Sequence, residues 1–518
     1  MQYYKDYYDV VIIGGALAGL SSAMVLAKEG KDVLVLEQHN LPGGLATSFV
    51  RNEFEIEATL HEMMSIGPEE QPLKIRQFFN DMGVDIDWIR VPEAYRIILP
   101  NSNIDVTLPA GYEEMADTID KRVPGQKEEV LKLMDLCDKV YKSVGALSKL
   151  EKPLSKMQML KQHEELVKTA GYTAEEVLAT FNLKPETIEI LSPYWIYVGN
   201  PMSSLPFTVY AVLMADYFTG GSYICKKNSH EMSLRMATKA EEYGAHIEYR
   251  QKVDKILVKN GKVTGVRTAR GDEINCGYVI SGAYPNRVYA SMIEPEHEIP
   301  NKAVQYTNGK KIGVTSFSVM MILEGTPEEV GIDSYSIFSG STMDTDVIWK
   351  QYHKLEPYDY ITSICINKTI PHKHVVDGKE YTELSITALP LADGWMNVKP
   401  EEYNDVKRRI AKGMIQEFEK TTGADVLSRI VEIEIATPMT IARYAGSWNG
   451  GVYGYRHCQD DNIVARLAMD GEENFIDGLY FANACSVSGN GMGPAITNGR
   501  KAAKDVMDDE KKKGGETA

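Results

Sequence analysis

One stretch near the start of the chain limits the fold more than any other. An apolar run at 10–13, Val-Val-Ile-Ile, meets the segment 14–19, Gly-Gly-Ala-Leu-Ala-Gly, and a helical pattern then continues to Gly30. A second apolar run at 33–36 ends on Glu37. Strand, glycine turn, helix, strand and terminal acid, in this order, predict a βαβ unit that binds a dinucleotide.

Each residue type in this unit has a mechanical task. Gly14 permits the tight turn, and Gly19 lets the helix pack close to the strand. The first turn of the helix directs N–H groups at a pyrophosphate, and Glu37 is placed to accept ribose hydroxyls. Ala16 stands where a glycine usually lets the backbone approach the phosphates, so we expect its methyl group to push the pyrophosphate outward or to shift the backbone. A turn of this kind that binds no nucleotide is the alternative.

Composition narrows the class of protein. The chain has 518 residues, which favours two closely joined domains, and its 43% apolar content is that of a soluble globular protein. A formal net charge of −17 argues against nucleic acid and against simple docking on anionic lipid. The six cysteines form no C-x-x-C pair, and no segment predicts a signal peptide or a transmembrane helix. We therefore expect a cytoplasmic protein, with peripheral membrane contact as an alternative.

The middle of the chain divides into helical and sheet-forming stretches. Residues 69–195 show apolar residues at three- and four-residue spacing and are predicted to be largely helical. Residues 246–283, 311–324 and 360–390 favour strands, with a hairpin turn at Asn260-Gly261. Residues 192–223 are the most aromatic part. Either core packing or the wall of an apolar cavity explains their composition: Trp195, Tyr197, Phe207, Tyr210, Tyr217 and Phe218.

Four separated segments resemble one family in the right order. They are 42–49 (Pro-Gly-Gly-Leu-Ala-Thr-Ser-Phe), 244–266 with Gly-Lys-Val-Thr-Gly-Val at its end, 437–454 with Thr-Pro-Met-Thr and Tyr-Gly, and 478–503 with Gly-Leu-Tyr-Phe-Ala and Gly-Asn-Gly. Together they are similar to the FAD-dependent phytoene desaturase group, which includes carotenoid desaturases and isomerases and the retinol saturases. The resemblance spans nearly the whole chain.

The resemblance implies an α/β fold in which a Rossmann-type FAD-binding domain is built from discontinuous segments. An α+β substrate domain is inserted into it. We assign residues 1–68, 222–290 and 466–507 to the FAD-binding domain. The helical part of the substrate domain is 69–221 and its sheet part is 291–465. The tail, 508–518, is charged and is expected to be disordered.

The resemblance also assigns the cofactor contacts. Gly14, Ala16 and Gly19 are expected at the pyrophosphate, Glu37 at the adenosine ribose, Gly43 and Gly44 beside the phosphates, and Val253 at the adenine through its backbone. Asn483, Gly491 and Met492 are expected near the flavin. This sequence departs from the family at Ala16, at Glu57, which replaces an aspartate, and at Asn483-Ala484, which replaces a glycine and an acidic residue.

The resemblance implies a flavoenzyme that acts on a C–C or C=C bond of a lipophilic substrate. A polyene, retinoid, steroid-like or enone compound fits, and the direction can be desaturation, saturation or isomerisation. For proton transfer the candidates are His61, Tyr197 and Tyr453. One dinucleotide fingerprint is present, so the electron partner is either NAD(P)H in direct contact with the flavin or a diffusing or membrane-borne carrier.

Two other functions are alternatives to this one, and one histidine pair raises the question of a metal site. An amine-oxidase-like flavoenzyme shares the fold, although the Thr-Pro-Met-Thr and Tyr-Gly motifs favour the desaturase group. A non-catalytic lipid- or prenyl-binding protein, like the prenyl-GTPase dissociation inhibitors, would explain Ala16 and Ala484 as signs of a lost flavin. His372 and His374 form an H-x-H pair with no third ligand nearby, so we predict no metal site.

Overall fold

The computed structural model describes residues 4–59, 62–150, 154–468, 471, 473–489 and 491–515. The strands in these residues are β1 (Tyr7–Ile13), β2 (Val33–Leu36), β3 (Ser48–Arg51), β4 (Phe54–Glu57), β5 (Trp88–Arg90), β6 (Tyr95–Leu99), β7 (Ile104–Leu108), β8 (Tyr223–Cys225), β9 (His246–Glu248), β10 (Val253–Lys259), β11 (Lys262–Thr268), β12 (Glu273–Ser281), β13 (Ile293–Glu294), β14 (Phe317–Glu324), β15 (Ser336–Ser339), β16 (Ile361–Cys365), β17 (His374–Val376), β18 (Lys379–Ala388), β19 (Ile430–Ala436) and β20 (Leu479–Phe481).

The α-helices of the described residues alternate with these strands along the chain. They are α1 (Leu17–Lys28), α2 (Lys74–Asp81), α3 (Tyr112–Arg122), α4 (Lys127–Leu147), α5 (Lys156–Gln162), α6 (Glu164–Thr169), α7 (Ala174–Leu178), α8 (Pro185–Leu191), α9 (Phe207–Gly220), α10 (Asn228–Glu242), α11 (Pro285–Arg287), α12 (Asn301–Gly309), α13 (Pro327–Val330), α14 (Thr345–Gln351), α15 (Ala392–Trp395), α16 (Tyr403–Thr422), α17 (Pro438–Ala445), α18 (Ile463–Ala468) and α19 (Met492–Gly515).

The first sheet contains the predicted βαβ unit. β20, β12, β1, β2 and β9 run parallel in this spatial order, and β10 and β11 extend the sheet from β12 as an antiparallel hairpin. Alternate residues of β1 and β2 enter the two apolar cores on opposite faces of the sheet. Asn260 and Gly261 both have positive φ, which confirms the predicted hairpin turn.

Three helices cover one face of this sheet. α1, α10 and α19 supply apolar side chains to one core, and α1 packs directly on α19. A Cβ on Gly499 would lie 2.0 Å from the carbonyl oxygen of Ala18, so only glycine fits at this crossing. The hydroxyls of Ser21 and Ser22 donate across it to the carbonyl oxygens of Ile496 and Gly499. The C-terminal helix is therefore locked to the first helix.

The second sheet has the order β19, β14, β18, β16, β15, β6, β7, with β17 paired to β18. Its neighbours are antiparallel except β15 and β6, which pair in parallel. The largest core lies between this sheet and helices that include α4, α9 and α16. The separate β3–β4 hairpin joins the second sheet to α10. The backbone N–H of Glu57 in β4 donates to Glu383 Oε1 of β18 at 2.7 Å, and the Glu57 carboxylate accepts from Ser229 of α10. The domain boundaries assigned from the sequence stay a prediction.

Two sequence expectations are corrected here. The region 69–195 contains the strands β5, β6 and β7 as well as helices, and β7 buries every second residue, a period of two that the helical prediction overlooked. The expected disorder of 508–518 is wrong for 508–515, where α19 continues. Lys513 anchors that end to Asp477 and, at 2.6 Å, to Asp509, and Lys31 binds Glu510 at 2.6 Å. Residues 516–518 lie outside the described residues.

Candidate active site

A cavity of about 1990 Å³ lies between the two sheets. This volume exceeds that of ordinary ligand pockets, roughly 300–1,000 Å³. Its wall includes the glycine turn after β1 and the start of α19, together with aromatic residues of the segment after α8 and of α9. A dinucleotide and a second molecule therefore have room in one continuous space.

The structure brings nearly all the predicted site residues together in the wall of this cavity. They are Gly14, Ala16, Gly19, Glu37, Gly43, Gly44, Tyr197, Val253, Tyr453, Asn483, Gly491 and Met492. His61, the remaining predicted residue, lies outside the described residues. Four chain segments that are far apart in sequence thus converge on one site, as the resemblance implies.

Glycines shape the turn between β1 and α1. Gly14 has φ +99° and nothing within 4 Å of a built Cβ, so its open side faces free space. A Cβ on Gly19 would lie 2.0 Å from the carbonyl oxygen of Gly14, which is the close contact predicted for this position. The N–H of Gly43 donates to the carbonyl oxygen of Gly15 at 2.8 Å and closes a second loop over the turn.

Ala16 fits because its neighbour is small. A Cβ on Gly44, which has φ +63°, would lie 2.8 Å from the Cβ of Ala16. The methyl group of Ala16 therefore packs in space that Gly44 leaves open. The cavity still reaches both residues, so the alanine does not close the turn.

Glu37 is buried at the end of β2 with both carboxylate oxygens engaged. Oε2 accepts the N–H of Gly15 at 2.7 Å, and Oε1 accepts the N–H of His39 at 2.8 Å. Each oxygen of a carboxylate accepts more than one hydrogen bond. Glu37 therefore braces the glycine turn and keeps acceptor capacity toward the cavity.

The neighbouring wall suits a flat ring. The rings of His39 and Tyr444 stack at 4.1 Å with an interplanar angle of 19°. Arg287 donates to the carbonyl oxygen of Gly446 at 3.0 Å and holds that loop in place. Val253, the predicted adenine contact, lies in the same cavity wall.

In the segment between β20 and α19, the side chain of Asn483 makes hydrogen bonds to the backbone. Its Nδ2 donates to the carbonyl oxygen of Ala283 at 2.9 Å, and its Oδ1 accepts the N–H of Cys485 at 2.8 Å. Its side chain fixes the turn after β20. Gly491, at φ +100°, and Met492 open the helix into the cavity, and the first N–H groups of a helix have no intrahelical partner.

The aromatic residues of 192–223 divide between the two roles foreseen for them. Tyr197 and Tyr217 line the cavity, with ring centroids 5.8 Å apart, and Tyr453 joins them there. Four others are packed in the core: Trp195, Phe207, Tyr210 and Phe218. Burial raises the pKa of Tyr197, Tyr217 and Tyr453 above its ordinary value, so these phenols stay protonated.

Glu62 is a site residue that sequence reasoning missed. Its Oε2 accepts the hydroxyl of Ser222 at 2.7 Å, and its Oε1 accepts the hydroxyl of Tyr197 at 3.4 Å. Burial raises the pKa of Glu62 to about 7, against the lowering effect of these two hydrogen bonds. The only signal in the sequence is its position next to His61, and nothing in the local pattern marks it as buried.

Asp216 is a second missed carboxylate, on the apolar helix α9. It accepts the hydroxyl of Ser65 at 2.6 Å and that of Tyr141 at 3.3 Å, and Lys74 Nζ lies 3.9 Å away. Ser65 has φ +62°, an unusual backbone for a residue that is not glycine. Asp216 thereby holds the loop that follows Glu62.

The histidines of the H-x-H pair lie apart from the cavity. His372 Nδ1 lies 2.8 Å from Glu380, and His374 Nε2 lies 2.8 Å from Glu383. Among the described residues, no group of three or more His, Cys, Asp or Glu is arranged to hold a metal ion. In the same part of the chain, every helix is too short or too polar to cross a bilayer.

Two curated relatives align over most of the chain. Prolycopene isomerase from Daucus carota is 25% identical over 514 residues, which cover 97% of this chain and 80% of that protein. All-trans-retinol 13,14-reductase from Rattus norvegicus is 25% identical over 478 residues, which cover 87% of this chain and 77% of that protein.

Solved structures share the fold over nearly the full length. Putrescine oxidase bound to putrescine has a TM-score of 0.63 at 15% identity, with 97% of this chain and 99% of that chain covered. A CLA-producing fatty acid isomerase from P. acnes has a TM-score of 0.60 at 14% identity, with the same shares covered. Residues 17–358 match the family of flavin containing amine oxidoreductases. This match covers more than half of the chain, and the chain therefore belongs to that family.

Proposed function

We propose that this protein is an FAD-dependent oxidoreductase that acts on a carbon–carbon bond of a lipophilic substrate. One observation carries the proposal. The glycine turn after β1 belongs to the same cavity, of about 1990 Å³, as an aromatic chamber, the part of the wall formed by Tyr197, Tyr217 and Tyr453. The chamber therefore places an apolar molecule beside whatever the turn binds. Polyene, retinoid, steroid-like and enone compounds are the substrate classes with the matching shape and polarity.

The residues present fit FAD. The open side of Gly14, the start of α1 and Gly43 would hold the pyrophosphate, and Glu37 would accept from the ribose. The stacked pair His39 and Tyr444 would border the adenine. The start of α19 would face the flavin ring with its helix dipole. When bound, FAD supplies the transfer of an electron pair to or from carbon.

The residues of the chamber would surround the substrate and provide its polar contacts. Aromatic and aliphatic side chains would exclude water around a bound substrate. The phenol of Tyr197 donates to Glu62 Oε1, and that of Tyr453 stays protonated in the same wall. We keep Tyr197, Tyr453 and His61 as candidates for proton transfer. NAD(P)H as electron donor, and contact with a membrane near the cavity mouth, stay predictions.

Amine oxidation is the second candidate, since the family carries that name and putrescine oxidase shares the fold. The alignments to curated relatives favour the first candidate, because they pair this chain with a prolycopene isomerase and an all-trans-retinol 13,14-reductase at 25% identity, against 15% for putrescine oxidase.

The test compares both classes on one preparation. Purified protein loaded with FAD is incubated with prolycopene, all-trans-retinol and putrescine, each with the flavin oxidised and with the flavin reduced by dithionite. We expect conversion of a polyene or retinoid and none of the amine. Oxidation of putrescine with no change in either lipid would overturn the proposal.

A further inference from the structure

We propose that Glu62 exchanges a proton with a carbon atom of the substrate in the aromatic chamber, held in place by Ser222 and Tyr197. This inference rests on the proposed function and deepens it by naming a catalytic acid–base residue. It differs from the tyrosines considered above in that it is a carboxyl group placed in the chamber wall.

The geometry fixes where the Glu62 side chain points. Glu62 and Tyr197 both line the cavity, and Tyr197 stacks against Tyr217 on the same wall. The hydroxyl of Ser222 holds Oε2 at 2.7 Å from the other side. The backbone is pinned as well, because the N–H of Met63 donates to the carbonyl oxygen of Tyr223 at 2.8 Å and that of Tyr223 returns a bond at 2.9 Å. A carboxyl group is thus presented to the chamber by a rigid segment.

The surroundings make Glu62 titratable near neutrality. Desolvation raises the pKa to about 7, the hydroxyls of Ser222 and Tyr197 lower it, and the carboxylate of Glu93 raises it further. The other ionisable groups that interact with it are phenols: Tyr194, Tyr197, Tyr217 and Tyr335. Their pKa values are raised by burial, so they remain neutral donors. A general acid works best when its pKa lies near the operating pH.

The proton step balances in either direction. In saturation of a C=C bond, the O–H bond of Glu62 breaks, a C–H bond forms at one olefinic carbon, and the carboxylate remains. The hydride equivalent for the other olefinic carbon would be supplied by bound, reduced FAD, so that the substrate gains two electrons and two hydrogens in total. In desaturation the carboxylate of Glu62 accepts the proton that leaves the carbon. After the product leaves the cavity, water that enters it resets the protonation state of Glu62.

Glu57 provides a matched control. Its pKa is also raised to about 7 by burial, and its carboxylate also binds a serine, with Ser229 Oγ at 2.6 Å. Glu57 lies between β18 and α10 and is not part of the cavity wall. Glu62→Gln and Glu57→Gln therefore remove the same chemistry inside and outside the chamber.

The first experiment follows the reduction of all-trans-retinol by FAD-loaded protein with dithionite, as a function of pH. We expect the wild-type rate to fall as pH rises through 7, which gives the pH–rate profile a descending limb. Glu62→Gln should lower the rate about 10²–10⁴-fold and remove this limb, whereas Glu57→Gln should keep it. Ser222→Ala should move the limb to higher pH, because the variant lacks a hydrogen bond that lowers the pKa of Glu62. A limb that persists in Glu62→Gln would overturn the proposal.

The second readout does not depend on turnover. Infrared difference spectra of the FAD-loaded protein between pH 5.5 and 8.5 should show protonated carboxyl bands that disappear as pH rises. Glu62→Gln and Glu57→Gln should each delete a different component. If retinol, prolycopene and putrescine are all left unchanged, the proposed function fails while the Glu62 component still shows whether the residue titrates. Loss of no component in Glu62→Gln would overturn the inference on its own.

Discussion

The methyl group of Ala16 occupies the space that a side chain at Gly44 would need, since a Cβ on Gly44 would lie 2.8 Å from the Cβ of Ala16. The sequence presents Ala16 as a defect in the phosphate-binding turn. In the fold, the larger residue at Ala16 is matched by the smaller residue at Gly44, on the facing loop. The loss of a glycine at 16 is therefore no argument for a scaffold without cofactor.

This pairing predicts the effect of Gly44→Ala. The added methyl group collides with Ala16, and φ +63° is unfavourable for alanine. Overpacking of this kind costs about 1–3 kcal/mol, which urea unfolding would measure. Ala16→Gly in the same chain should recover the packing part. Gly30→Ala separates the two effects, because Gly30 has φ +80° and nothing within 4 Å of a built Cβ. Equal losses in Gly44→Ala and Gly30→Ala would show that the pair does not matter.

A second prediction concerns the helix crossing. Gly499→Ala brings a methyl group to 2.0 Å from backbone and side-chain oxygens of α1, so the two helices have to separate. We expect a loss of about 3 kcal/mol or more in the free energy of unfolding and a weaker FAD site. Gly145→Ala in α4, where a Cβ meets nothing within 4 Å, should change stability by about 1 kcal/mol or less. A Gly499→Ala protein as stable as Gly145→Ala would contradict the assigned contact.

Glu37→Gln tests the ribose end. The amide group of glutamine places a donor against the N–H of Gly15 or of His39, so one of the two hydrogen bonds is lost. A buried donor without its acceptor costs about 1–3 kcal/mol, which weakens FAD binding about tenfold or more if the turn is distorted. Quenching of flavin fluorescence gives the affinity. An unchanged dissociation constant would mean that Glu37 neither braces the turn nor contacts the cofactor.

The buried Glu57 predicts a pH dependence of stability. Its pKa is raised from 4.5 to about 7 by burial, so the native state binds the proton more tightly than the unfolded state does. This contribution is fully present below pH 4.5 and is lost as pH rises through 7. The melting temperature of Glu57→Gln relative to the wild type should therefore rise between pH 4.5 and 8. A constant difference over that interval would show that Glu57 does not titrate in the folded protein.

The sequence revealed the nucleotide side of the site because that chemistry is carried by short contiguous motifs. A glycine with positive φ, a close-packed glycine, a terminal acid and a helix start have fixed spacing, and Gly14, Gly19 and Glu37 hold these positions in the fold. The chamber is different. Tyr197 lines the cavity while Trp195, two residues away, is core, and only the packing of distant helices separates them. Glu62 is held by hydrogen bonds from Ser222 and Tyr197, contacts that no local pattern encodes.

The same limit explains the strands and the tail. β6 and β7 join a sheet whose other strands begin more than two hundred residues later. Their pairing therefore cannot be detected from the apolar spacing of the neighbouring residues. The charged residues of 508–515 suggested disorder by composition, but Glu510 pairs with Lys31 and Lys513 with Asp477, next to strands of the first sheet. Long-range ion pairs and strand pairing decided these elements.

The most direct measurement is the absorption spectrum of the purified protein after incubation with FAD, recorded before and after addition of all-trans-retinol. We expect flavin bands that stay with the protein through gel filtration, and a shift of those bands when the retinoid enters the adjoining chamber. A protein that retains no flavin, or whose flavin bands do not respond to any polyene or retinoid, would contradict the claim that one cavity holds both.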